Sequence, residues 1–167
     1  AKESGLKKGT PVIVGTGDST AEAISVGLVE SGTVFFQYGS SMFYYYCVDR
    51  YVDDYVSANG NGSLKGGKEF TIPGTFCIGD GTNAAGTLTR WVRDTFYEEE
   101  LKKERAGGEN AYAVMAREAA EVEAGSEGLI ILPYIYGERS PIQDAKASGM
   151  LFGLKGTHTR KQINRAA

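Results

Sequence analysis

Two β-forming runs, TVFFQY at 33–38 and MFYYYCV at 42–48, are separated only by Gly39-Ser40-Ser41. A glycine and two serines between aromatic and β-branched residues form a turn signal, so the spacing predicts a hairpin about Gly39-Ser40-Ser41. Any fold for this chain must be built around that ribbon. Upstream, PVIVGTGDST at 11–20 reads as a parallel-type strand over 11–15 that ends in a glycine turn and delivers a carboxylate, Asp18. Ser19 and Thr20 then offer caps to a helix whose spacing runs through Ala23, Ile24, Gly27 and Leu28. Downstream, residues 49–68 are polar and glycine-rich and read as a loop. FTIPGTFCIGDG predicts a strand pair, or a strand with a turn.

Beyond residue 80 the pattern turns helical. TNAAGTLTRWVRDTF places Ala85, Leu88, Trp91, Val92 and Thr95 near one face. YEEELKKERAGGEN sets Glu98 and Glu99 four residues before Lys102 and Lys103, as in a solvated helix end that breaks at Gly107-Gly108. AYAVMAREAAEVEAG predicts a helix closed by Gly125, GLIILPYI a buried strand of about seven residues, and YGERSPIQDAKASG a polar loop. HTRKQINRAA starts a last helix capped by Thr157 or Thr159. The order predicts an α/β class with mixed sheet pairing.

The 167 residues fit one domain, and 41% hydrophobic content supplies a core. A net charge of −3 and a pI near 5.3 give no basic footprint for nucleic acid. No apolar run reaches the roughly 18 residues of a membrane-spanning helix, and no signal peptide is visible. Cys47 and Cys77 match neither a disulfide framework nor a zinc spacing, and read as reduced, buried thiols of a cytoplasmic protein. A single histidine, His158, excludes chemistry that needs several. The chain starts without Met and stops within a helical pattern, so it is expected to be a piece of a longer protein.

Four constellations carry chemistry. The GTGD junction presents Asp18 where open α/β sheets form ligand crevices, and reads either as a general base or as a helix cap in which Asp18 or Ser19 takes part. Gly15-x-Gly17 lacks the third glycine of a dinucleotide fingerprint. The Gly39-Ser40-Ser41 bend offers N–H and hydroxyl donors suited to phosphate, or is simply a turn. Ala84-Ala85-Gly86 permits close backbone approach at a helix start, by a ligand or by tight packing. Gly137-Glu138-Arg139-Ser140-Pro141 is a polar corner, either an anion or partner site or a structural ion pair.

Four segments in order, GTPVIVGTGDSTAEAISVG, FFQYGSS, AAGTLTRWVRD and LPYIYGERSPIQDAKASGMLFGLKGTHTRKQINRA, resemble the FGGY carbohydrate kinases. The resemblance implies an actin-like, ribonuclease-H-like ATPase fold with a mixed sheet flanked by helices. It also implies a sugar kinase using ATP and Mg²⁺, with xylulose or a related pentulose as acceptor. By that likeness Asp18 is the catalytic base and meets the sugar with Ser19. Gly39, Ser40 and Ser41 contact the phosphates, where the family usually carries Gly-Thr-Ser or Gly-Thr-Gly. Gly86 and Arg90 meet the nucleotide. Residues 1–167 are expected to be an incomplete C-terminal, nucleotide-binding domain, lacking the N-terminal sugar-binding domain and the adenosine motif, and so inactive alone. The missing domain is the expected partner, and a homodimer is a further expectation. Two alternatives are a non-catalytic actin-like nucleotide-binding module and a plain α/β domain whose glycines serve packing.

Overall fold

The computed structural model describes residues 3–52, 68–140 and 142–167. The predicted hairpin forms as β1 (Val34–Tyr38) and β2 (Met42–Val48), antiparallel, with Tyr38 opposite Met42 across the bend. Two further strands join it, β3 (Lys68–Glu69) and β4 (Phe76–Thr82), in the order β1-β2-β4-β3. Most of the loop expected at 49–68 lies outside the described residues.

Helix α1 (Asp18–Ser25) lies against one face of this sheet. Ala23 from the helix and Leu28 after it are buried with Cys47 of β2 and Phe70 of the β3–β4 connection. Phe35, Tyr45 and Cys77 pack around them. β1 ends the strand order, and its residues 34, 36 and 38 stay exposed in alternation with half-buried neighbours, so one apolar face of it is uncovered.

The second half of the chain is helical. α2 (Gly86–Phe96), α3 (Glu98–Arg105), α4 (Ala111–Ala120) and α5 (Arg160–Ala166) pack around Val92, Tyr97 and Met115, with Trp91, Phe96 and Ile163 beside them. Arg160 of α5 ties that helix to the other three, with Nη1 donating to Phe96 O of α2 at 3.3 Å. Its guanidinium donates to Glu100 of α3 and Glu118 of α4 and lies over the Tyr97 ring, 4.2 Å from the centroid. The Tyr97 hydroxyl donates to Glu118 at 2.9 Å. Of the two caps expected, Thr157 and Thr159, it is Thr159 that caps α5, in a full capping box with Gln162.

Several expectations are corrected. Residues 11–15 form no strand. Val12, Ile13 and Val14 are 79%, 89% and 99% exposed, and an apolar run without a neighbouring strand has no ladder to join. The mixed α/β composition stands, but the named strands pair only antiparallel, where a mixed sheet was expected. The seven-residue buried strand shrinks to β5 (Ile130–Leu132), partly exposed and paired with β6 (Met150–Phe152), which falls in a segment where no strand was expected. Residues 98–105 are a helix in their own right. In it Lys102 meets both Glu98 and Glu99. Thr95 is exposed, off the buried face of α2. α4 ends at Ala120, before Gly125, whose left-handed backbone instead opens a short 3₁₀ turn at Ser126–Gly128.

Candidate active site

The GTGD turn reaches the sheet through two hydroxyl pairs. Thr16 Oγ1 lies 3.0 Å from Thr71 Oγ1 in the β3–β4 connection, and Ser19 Oγ lies 3.0 Å from the Tyr45 hydroxyl on β2. Helix α1 begins at Asp18 itself, with Gly17 as N-cap and no side-chain cap bond. The expected caps at Ser19 and Thr20 therefore give way to a glycine. Asp18 is exposed in the first helical turn, and its Oδ1 accepts the Ser19 N–H at 2.8 Å. The positive end of the helix dipole favours a carboxylate there.

The Gly39-Ser40-Ser41 bend is held from the other side. The N–H groups of Ala85 and Thr87 donate to Ser40 O at 3.1 and 3.2 Å, and that of Gly86 to Gly39 O at 2.9 Å. Thr87 Oγ1 adds a bond to Ser40 O at 2.9 Å. The bend thus supplies the caps that α2 lacks from any side chain, satisfying N–H groups that a helix start leaves without partners. Gly86 must be glycine for the same reason: a Cβ there would sit 2.7 Å from Gly39 O. Tight packing, the alternative weighed for this position, explains its small size. Arg90, one turn further along α2, is exposed.

A cleft of about 550 Å³ opens between these two assemblies. Ser19 and Thr20 line one part of it and Ser41 another, with Tyr45, Asp80 and Arg139 among the remaining walls. The structure therefore brings the residue after Asp18 and the last residue of the bend to one cavity. Gly86 touches the bend from behind, and of the expected site residues only Ser19 and Ser41 line the cavity, while Asp18, Gly39, Ser40, Gly86 and Arg90 do not.

Sequence reasoning passed over two groups here and gave a third, Glu138, different partners. Asp80 stands in β4, where its Oδ1 accepts the Gly81 N–H at 2.8 Å and its Oδ2 accepts the Ser140 hydroxyl. Tyr45, one of three successive tyrosines in the β-forming run 42–48, turns its hydroxyl to the cleft and Ser19. Glu138 is 2% exposed and accepts from Thr82 Oγ1 and from the backbone N–H groups of Asn83, Arg139 and Ser140. That carboxylate latches the corner to the end of β4, with backbone amides as partners in place of the expected ion pair with Arg139. An acid just after Gly137 was its only sequence signal.

Comparison with known proteins supplies the class. Residues 37–167 match the model of the "FGGY family of carbohydrate kinases, C-terminal domain". The chain belongs to the FGGY family of carbohydrate kinases. Gluconokinase of Bacillus subtilis is 28% identical over 170 residues, covering 100% of this chain and 31% of that protein. Xylulose kinase of Staphylococcus epidermidis is 31% identical over 166 residues, covering 99% and 30%. Among solved structures, xylulose kinase from Rhodospirillum rubrum superposes with a TM-score of 0.73 at 30% identity, over 97% of this chain and 29% of its own. Ligand-bound xylulose kinase from Lactobacillus acidophilus gives 0.74 at 26% identity, over 99% and 30%. The fold is that of these sugar kinases, in the actin-like ATPase class. The chain spans about 30% of the length of the relatives it matches. Asp18 and Ser19 precede the matched domain, which begins within β1.

Proposed function

We propose that the protein containing these residues transfers the γ-phosphoryl group of ATP to a sugar hydroxyl, with xylulose or a related pentulose as the leading acceptor. The observation that carries the reading is the shared cleft, with Ser19, the residue after Asp18, at one wall and Ser41 of the bend at another. In-line transfer needs an aligned nucleophile and donors for the charge on the phosphoryl oxygens. Asp18 accepts the proton of the sugar hydroxyl as its oxygen bonds to the γ-phosphorus and ADP departs. Ser19, beside it, orients the sugar. Ser40 and Ser41 donate to the phosphates, with Gly39 giving the bend its tight course. Gly86 sets the depth of the bend against α2, and Arg90 meets the nucleotide from the exposed side of that helix. Mg²⁺ enters as part of the MgATP substrate.

The sugar-binding half and the adenosine contacts belong, on this reading, to the rest of the protein, and closure of the two halves excludes water. Its substrates are those of the cytoplasm. Full-length protein should release ADP on addition of one member of a sugar panel that includes xylulose, ribulose, gluconate and glycerol. Tight ATP binding with no sugar-dependent ADP release across the panel would instead favour the non-catalytic nucleotide-binding module.

A further inference from the structure

The register of the central sheet sets Cys47 of β2 directly opposite Cys77 of β4. Opposed residues in an antiparallel ladder alternate between pairs that exchange two hydrogen bonds and pairs that exchange none. Cys47 belongs to the second kind with respect to β4. Its N–H donates to Thr33 O at 3.0 Å and its carbonyl accepts the Gly32 N–H at 2.9 Å, so both backbone groups are spent on the side away from Cys77. Across a step of that kind the Cα atoms come to about 4.5 Å and the side chains are at their nearest. Disulfides span Cα separations of about 4.4–6.8 Å, so a step of this kind falls at the short end of the range that a bridge can cross.

The surroundings give the two sulfurs different access. Cys77 lines the cleft, whereas Cys47 is 0% exposed within the core formed with Ala23, Leu28 and Phe70. Both are thiols in this structure. We propose that Cys47 and Cys77 are an oxidation site that closes into a disulfide across β2 and β4, with a small-molecule disulfide as the oxidant. The Cys77 thiolate attacks one sulfur of the reagent, whose S–S bond breaks and releases one thiolate, leaving a mixed disulfide on Cys77. The Cys47 thiolate then attacks the Cys77 sulfur and expels the second thiolate. Two protein thiols lose two electrons and two protons, and the reagent becomes two thiols. The proposal stands on register and access alone and does not depend on the kinase reading.

The test equilibrates full-length protein in buffers of oxidised and reduced glutathione, native and in denaturant, then quenches with acid and digests without reduction. Arg50, Lys65 and Lys68 separate the two cysteines for trypsin, so the bridge appears as one cross-linked peptide pair. The native protein is expected to form it at a ratio of oxidised to reduced glutathione lower than the unfolded chain needs by roughly tenfold or more, the signature of held proximity. Cys47→Ala should stop at the mixed disulfide on Cys77. Equal ratios for native and unfolded chains, unreactive native thiols, or a mixed disulfide that persists on Cys77 with Cys47 present would each overturn the assignment.

Discussion

Asp18 and Gly86 illustrate two ways in which one residue can matter to the same cleft. Asp18 is exposed, and among the described residues its carboxylate is held only by the adjacent Ser19 N–H, so it keeps acceptor capacity for an incoming hydroxyl. Asp18→Asn keeps the size and removes the basicity. In full-length protein it should lower kcat by about 10²–10⁴ with ATP affinity near normal, the range of general-base assistance. A fall in thermal stability with kcat unchanged would make Asp18 a helix-end residue only. Gly86→Ala drives a methyl group to 2.7 Å from Gly39 O. The bend must yield, at a cost of about 1–3 kcal/mol by analogy with overpacked cores. The variant should show a lower unfolding midpoint together with a raised KM for ATP. An unchanged KM would separate the bend from the nucleotide.

At the scale of elements, the position of α1 depends on few contacts. The helix has no side-chain cap and buries only Ala23, so the pairs Ser19–Tyr45 and Thr16–Thr71 fix its first turn over the sheet. Tyr45→Phe removes one tether and keeps the ring that packs in the core. It is expected to lower kcat while leaving KM for ATP within about twofold, since the net worth of one such bond is about 1 kcal/mol and the bend is held separately by α2. Equal effects on both parameters would show that Tyr45 supports the whole cleft and not α1 alone. Helix α5 offers a contrast, because Thr159 caps it with a complete box. Thr159→Ala should cost about 1 kcal/mol in urea unfolding, with no change in the m-value.

For the whole molecule, the Arg160 network sets the pH range over which the helical half stays docked. Its hydrogen bonds hold Glu118 and Glu100 below the ordinary carboxylate value of 4.5. Groups lowered in the folded state stabilise it fully above 4.5, and that contribution is lost as the pH falls through their lowered values. Burial, followed by the bond to Glu118, raises Tyr97 above its ordinary 10.0, so its contribution is whole below pH 10.0 and is lost as the pH rises beyond it. Thermal unfolding should therefore show a plateau bounded by these two limbs. Arg160→Gln should lower the plateau and converge on the parent protein on the acid side of pH 4.5. Two curves that remain parallel through the acid limb would show that the carboxylates do not titrate against Arg160.

The sequence by itself determined the hairpin, its Gly39-Ser40-Ser41 bend, α2, and the capped start of α5. Each is written in local chemistry: turn residues between β-formers, an apolar stripe at helical spacing, a threonine just before a helical run. Family membership was legible too, because its motifs are local strings. Tertiary structure alone decided what those strings meet. PVIVG has the composition of a strand, yet pairing needs a second strand, and the described residues give it none. Gly86 reads equally as a ligand contact or a packing site until Gly39 O is found against it. Tyr45, Asp80 and Glu138 acquire partners 26, 60 and 56 residues away. Likewise, the facing of Cys47 and Cys77 follows from the register of β2 on β4, since contacts across a sheet are set by how strands align and leave no mark in the spacing along the chain.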